Sequence, residues 1–257
     1  TRYISVTGVQ TCALPIFAAA GVGSDTTGSI IGPSSMNGIV GMRPTYALVS
    51  RRGIVPITET QDAAGPMART VEDAAMLLTV MAGSDPEDAA SKDADAHKTD
   101  YTKGLKTDAL KGVKLGVMRG YGGYNDATKP AFEKALDVLK AQGAELVEVP
   151  DMLESVSEEG SRTEDFNFKV NLESYLAQTP PAVKTRTIAD MIAFNNTEEH
   201  EKQHAQDCFI SAEATTEGLQ NPEYIAKRES VVRKARTDGL AKLLSQYGVS
   251  ALVVLTR

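Results

Sequence analysis

The stretch GSDTTGSIIGP, residues 23–33, holds the densest group of small polar residues in the chain. Glycine and small hydroxylated side chains let a reacting carbonyl approach the main chain, so such a loop can hold a serine hydroxyl among several backbone N–H groups. Taken by itself, the stretch favours a tight turn between a strand and a helix. A phosphate-binding loop is a third interpretation, but its Gly-Lys-Ser/Thr ending is missing here. The sequence also lacks a G-x-S-x-G nucleophile elbow around this position.

Short β-branched runs separated by glycine, serine and proline flank this loop between residues 17 and 66. They predict short buried strands and tight loops. The candidate strands are Gly38–Met42, Leu48–Ser50 and Gly53–Ile57. Further on, Thr70 and Asp73 have the spacing of a capping box, which predicts a helix that Gly83 closes.

The second half of the sequence alternates strand and helix patterns before it becomes mostly helical. Residues 114–118, 129–142 and 145–149 predict a βαβ unit, which requires a largely parallel sheet and a right-handed crossover. The charged segment 84–111 that precedes this unit is predicted to be a solvated connection. The remaining predicted elements are helices at about 163–176, 188–194, 198–217 and 222–246, and a buried strand at 251–255.

Composition restricts the classes of protein and partner. Of the 257 residues, 42% are hydrophobic, which is the ordinary value for a globular chain. The net charge of −7 provides no global basic field, so we predict no direct nucleic-acid partner. Since no apolar run approaches the 18 or so residues of a membrane span, we also predict no membrane association. Two cysteines are too few for a disulfide scaffold, and Cys208 is predicted to be a small buried residue.

Both ends of the chain look incomplete. Residues 1–16, TRYISVTGVQTCALPI, resemble the translation of a sequencing-library adapter, so they are a probable artefact that we exclude from the fold prediction. At the other end, the predicted core strand 251–255 comes directly before the last residues, which is unusual for a complete domain. The expected organisation is therefore one partial domain over residues 17–257.

Over residues 23–78 the sequence resembles the amidase signature family. The resemblance is carried by the following pieces in order: DTTGSI (25–30), Pro33, GMRPT (41–45), VSR (49–51), GIVP (53–56), QD (61–62) and GPMART (65–70). The resemblance implies an α/β fold, with a mixed β-sheet sandwiched by α-helices that is incomplete in this chain. It also implies a serine hydrolase acting on carboxamides of small molecules or peptides, through a Ser, cis-Ser, Lys triad that uses no cofactor and no metal.

Residue by residue, the resemblance assigns Ser29 as the nucleophile. The backbone N–H groups of Thr26, Thr27, Gly28 and Ser29 match the oxyanion hole, and Asp25 matches an acidic residue that organises the loop. In the family, the lysine base and the cis-serine both lie N-terminal to the nucleophile. None of the lysines in this chain occupies a matching position, so the chain as given is expected to have little or no amidase activity.

Two other functions remain open within the same resemblance. One is the amide-hydrolysing component of a tRNA-dependent amidotransferase complex, and the other is a non-catalytic remnant. Ile31 stands where the family often has arginine, and together with the segment TQDAAGP (60–66) it favours the free-standing enzyme.

A zinc site is the rival interpretation from a different class of chemistry. His200 and His204 satisfy H-E-x-x-H, with Glu201 as a possible base, if they lie on one face of a helix. The surrounding residues are very polar, and His97 offers no evident third ligand. The sequence therefore favours a solvated helix face over a metal site.

Overall fold

The computed structural model describes residues 18–120, 125–151 and 157–256, which fall into two compact units. The adapter-like residues 1–16, with Cys12, lie outside this range. The first unit contains the described residues up to Ile54, those between Gln61 and 151, and those from Leu240 onward; the second contains Val55–Thr60 and 157–239. The elements are β1 (Ala20–Asp25), α1 (Ile31–Met36), β2 (Val40–Gly41), β3 (Ala63–Ala68), α2 (Val71–Met81), β4 (Lys114–Val117), α3 (Lys129–Ala141), β5 (Glu145–Glu148), α4 (Ser157–Ala177), α5 (Ile188–Thr197), α6 (Asp207–Glu213), α7 (Pro222–Ala235), α8 (Ala241–Tyr247) and β6 (Ala251–Val253).

The candidate loop follows the first strand of an antiparallel sheet with the order β1-β3-β2. The central strand β3, AAGPMA, is buried along its whole length and was not predicted, because it shows neither alternation nor β-branched residues. It contains Pro66, which is unusual in a central strand. The Met42 N–H donates to the Pro66 carbonyl at 3.0 Å, and Pro66 has no N–H to return. The β2 ladder therefore ends after two residues.

Ile30, at the end of the candidate loop, packs against three glycines that lie on three different strands. Its side chain is fully buried, together with Met67. A Cβ atom on Gly23, Gly41 or Gly65 would lie 3.0 Å from an atom of Ile30 in each case. The absence of side chains on these glycines is what lets the loop lie this close to the sheet.

The parallel sheet has the order β5-β4-β6 and confirms the predicted βαβ unit. Helix α3 covers one face, where Phe132 and Leu136 pack on Val117. Helix α8 covers the opposite face, where Leu243 packs on Met118. Helices on both faces of a sheet confirm the predicted α/β class. Among the described strands there are two separate three-stranded sheets, one antiparallel and one parallel, in place of a single continuous one.

The segment 84–111 is not the solvated connection that the sequence predicts. It forms two 3₁₀ helices, Ala89–Ala96 and Tyr101–Gly104, and Ser91 and Ala94 in the first of them are buried. Small side chains and polar contacts hold this segment without large apolar residues. Asp88 accepts hydrogen bonds from the Arg51 N–H at 2.9 Å, from Arg51 Nε at 2.9 Å and from Arg51 Nη2 at 2.6 Å. These bonds hold the pKa of Asp88 below its usual value of 3.8.

Other predicted elements were partly right. Thr70 caps α2 by accepting from the Asp73 N–H at 3.1 Å, which confirms the predicted start of that helix. Of the three short strands predicted near the loop, the first is present as β2 and the second is reduced to an isolated bridge at Val49. The third is absent from residues 53–57, since Gly53 has a φ of +81° and Pro56 lacks a donor.

The second unit is helical, as predicted, and α4, α5 and α6 bury a common core. Phe166 packs on Tyr224 and Phe168 on Phe209, both with ring centroids 5.7 Å apart. These two phenylalanines are therefore core residues, as the sequence favoured. None of the helices in the described residues is long and apolar enough to span a bilayer.

Three predictions in this unit were wrong. The helix predicted at 198–217 is present only as a short 3₁₀ turn and as α6. The helix predicted at 222–246 is interrupted at Gly239, where a Cβ atom would lie 2.2 Å from the Lys234 carbonyl oxygen. Cys208 is exposed, because it lies in the first turn of α6 and the core contacts of that helix come from Phe209 and Ala212.

Gly65→Ala should destabilise the protein by about 2–3 kcal/mol, the range for overpacking a closed core. The new Cβ would lie 2.1 Å from the Met42 carbonyl oxygen, which is backbone and cannot move aside alone. Gly104→Ala is the control, since that position has no atom within 4 Å. Urea unfolding measures both, and equal midpoints would contradict the close packing described here.

Asp88→Asn should lower the free energy of unfolding by about 2 kcal/mol at neutral pH, because it removes the charge that Arg51 neutralises. Asp93→Asn, an exposed change in the same 3₁₀ helix, should be neutral. Because folding lowers the pKa of Asp88, its contribution is complete above the unfolded-state value and is lost as pH falls through the folded-state value. The stability gap between wild type and Asp88→Asn should thus close below about pH 3.8. A gap that stays constant down to pH 2 would refute the assignment.

Candidate active site

Asp25 organises the loop that carries the candidate nucleophile. It is the last residue of β1, and its carboxylate is completely buried. Oδ1 accepts from the Gly28 N–H at 2.7 Å, and Oδ2 accepts from the Ile30 N–H at 2.8 Å. A buried carboxylate is stable only when it is neutralised and hydrogen-bonded, and these two N–H groups supply part of that stabilisation.

Arg43 supplies the opposite charge from the segment that follows β2. Its Nη1 donates to Asp25 Oδ1 at 2.8 Å and to the Asp25 and Thr26 carbonyl oxygens at 2.7 and 3.1 Å. Its Nη2 donates to the Gln61 carbonyl oxygen at 2.6 Å. One guanidinium therefore joins the loop after β1 to the segment that enters β3.

A second contact holds the loop from the other side of the motif. The Thr26 hydroxyl donates to Asp62 Oδ1 at 2.6 Å, and Asp62 is buried. The sequence analysis quoted Arg43 and Asp62 as pieces of the motif but gave them no role. The available signal was their charge, since both interrupt stretches of small or apolar residues that form buried structure.

Ser29 lies in the turn between Gly28 and α1, and it is exposed. Within the described part of the chain, its hydroxyl has no hydrogen-bond partner. The Gly28 carbonyl accepts from the Gly32 N–H at 2.8 Å, and Gly28 itself has a φ of +125°. Glycine is needed at this position because other residues rarely adopt that conformation. The hydroxyl is therefore presented to solvent at a turn whose backbone is fixed on both sides.

The structure assigns the four N–H groups of the predicted oxyanion hole to different uses. The Gly28 N–H is already bonded to Asp25, so it is not available to a reacting carbonyl in this conformation. The N–H groups of Thr26, Thr27 and Ser29 have no side-chain acceptor among the described residues. An N–H group beside an exposed hydroxyl can stabilise the negative charge that develops on a carbonyl under attack.

The rival zinc motif lacks the geometry that it requires. Glu201–Gln203 forms a single 3₁₀ turn, and His204 has an extended backbone at its end. His200 and His204 are both exposed and do not share the face of an α-helix. Over the described residues, no group of three His, Cys, Asp or Glu side chains is placed to hold a metal ion.

Comparison with known proteins identifies the family. The family model described as Amidase matches residues 16–252. The chain belongs to the amidase signature family. The match includes the loop at Asp25–Ile30, both sheets and most of the helical second unit.

Individual members of the amidase signature family match the chain over different lengths. A probable amidase of Arabidopsis thaliana is 33% identical over 92% of this chain and 46% of its own length. A glutamyl-tRNA(Gln) amidotransferase subunit of Neisseria gonorrhoeae is 50% identical over 51% of this chain and 27% of its own length. The crystal structure of the native peptide amidase of Stenotrophomonas maltophilia superposes with a TM-score of 0.83 at 35% identity, covering 96% of this chain and 50% of that one. The chain thus spans about half the length of the two relatives that it matches almost throughout.

Proposed function

We propose that the protein of which this chain is part hydrolyses the C–N bond of a carboxamide through a serine acyl-enzyme on Ser29. The observation that carries the proposal is an exposed serine hydroxyl on a turn that the buried Asp25 carboxylate and Arg43 hold rigid. A serine in that position can attack a carbonyl carbon while fixed N–H dipoles stabilise the tetrahedral anion.

The reaction proceeds in two halves. Ser29 Oγ bonds to the amide carbon as a base takes its proton, and the C–N bond breaks when the nitrogen receives a proton and leaves as ammonia or an amine. Water then attacks the acyl-enzyme ester and releases the carboxylic acid. Because serine is a weak nucleophile at neutral pH, the reaction needs an adjacent base. The resemblance assigns that role to a lysine acting through a second serine, and this chain has no lysine at the matching position.

The substrate that fits best is the carboxamide of a small molecule or of a peptide terminus. The likeness to the peptide amidase extends over 96% of the chain, whereas the likeness to the amidotransferase component extends over 51%. Ile31, an apolar residue directly after the loop, also favours the free-standing enzyme over the amidotransferase component. We propose that neither nucleic acid nor a membrane is a direct partner, since the net charge is −7.

Ser29→Ala in the full-length protein should reduce ammonia release from a peptide C-terminal amide to background. It should also abolish labelling by a fluorophosphonate, since both reactions form a bond to Ser29 Oγ. The matched control is Ser35→Ala, an exposed serine in α1 whose loss should leave both readouts unchanged. Persistent labelling of Ser29→Ala would remove Ser29 from its role. Ammonia release that occurs only with glutamine and a partner complex would instead support the amidotransferase alternative.

The 257-residue chain by itself should release less than about one-thousandth of the ammonia that the full-length protein releases, the loss expected when a serine nucleophile has no base. The comparison uses equal concentrations of both, with circular dichroism to confirm that each is folded. A comparable rate from the two would show that the base lies within this chain and would overturn the expectation.

A further inference from the structure

We propose that Arg43 is a positioning residue that sets the direction of the Thr27 N–H, so that Thr27 and Ser29 form a two-donor oxyanion hole from which Gly28 is excluded. This inference rests on the proposed function, because it concerns how the same loop stabilises the tetrahedral anion. It corrects the four-donor set that the resemblance implies.

The first step concerns the direction of the peptide groups that Arg43 contacts. In a trans peptide the C=O of one residue points opposite to the N–H of the next, and no cis peptide occurs in the described chain. The carbonyls of Asp25 and Thr26 both accept from Arg43 Nη1. The N–H groups of Thr26 and Thr27 must therefore point away from the guanidinium.

The second step concerns the remaining N–H groups of the loop. Asp25 accepts from Gly28 and Ile30, so these two N–H groups point toward the buried carboxylate. The Gly28 carbonyl accepts from Gly32, so the N–H of Ser29 points away from that bond. The loop thus alternates, with two N–H groups held inward by Asp25 and those of Thr27 and Ser29 left for a ligand.

The third step separates position from charge. Arg43 is paired with Asp25, so it contributes little net positive charge to a reacting carbonyl. Its effect comes from the number and directions of its bonds, which reach four acceptors on Asp25, Thr26 and Gln61. Lysine has the same charge but only three donors on a single nitrogen, and it cannot span these acceptors.

Arg43→Lys and Arg43→Ala in the full-length protein test the inference. Both should lower kcat by about 10²-fold or more, the loss that follows removal of one oxyanion donor, with KM changed by less than about threefold. The affinity for a peptide trifluoromethyl ketone, which forms a tetrahedral oxyanion on the serine, should fall by the same factor as kcat/KM. Added methylguanidine should restore part of the lost kcat in Arg43→Ala and none in wild type.

Arg51→Lys is the matched control, since Arg51 also pairs with a buried carboxylate but lies outside the loop. It should lower the thermal midpoint while kcat and ketone affinity stay within about twofold of wild type, because no oxyanion donor is disturbed. If Arg43→Lys keeps wild-type kcat and ketone affinity, or fails to fold while Arg51→Lys folds, the inference is wrong and Arg43 is structural only. Activity in Ser29→Ala would instead refute the proposed function, so the two failures are distinguishable.

Discussion

The buried carboxylate of Asp25 is the constraint on which the candidate site depends. A charge removed from water is tolerated only when it is paired and hydrogen-bonded, and Asp25 is paired with Arg43 and bonded to the N–H groups of Gly28 and Ile30. These partners come from the turn itself and from the segment after β2, so the carboxylate cannot be satisfied until both are in place. The conformation of the loop around Ser29 is therefore coupled to the folding of the antiparallel sheet.

Close packing below the loop reinforces this coupling. Ile30 donates its N–H to Asp25 while its side chain fills the space left by Gly23, Gly41 and Gly65. The backbone of the loop and its apolar anchor are thus fixed by the same residue, one through a charge-assisted hydrogen bond and the other through contact with three strands. Interiors at native packing density deform little, so a turn anchored in this way keeps its dipoles in fixed directions before any substrate arrives.

The sequence predicted those parts of the fold in which local patterns and tertiary packing agree. The βαβ unit follows from apolar periodicity, and Thr70 caps α2 as its spacing indicates. Strand β3 could not be predicted, because a proline in a central strand is acceptable only where the neighbouring ladder stops, and that depends on β2. The helix predicted at 198–217 failed for the opposite reason: its charged residues have adequate helix propensity, but without an apolar stripe no packing stabilises them. For the site, Ser29 and Asp25 came from the motif, whereas the bonds of Arg43 to Asp25 and of Thr26 to Asp62 join residues 18 and 36 positions apart.

Neutralisation of Arg43 by Asp25 also bears on the class of substrate. An uncompensated cation beside Ser29 would attract a carboxylate at least as strongly as it stabilises a transition state, and the product of amide hydrolysis is a carboxylate. Fixed N–H dipoles bond weakly to a neutral carbonyl and strongly to the oxyanion that forms from it, so their stabilisation is concentrated in the transition state. In the proposed reaction, a paired arginine that orients dipoles therefore favours turnover of an uncharged carboxamide and release of the acid. An unpaired arginine at the same place would retain the product.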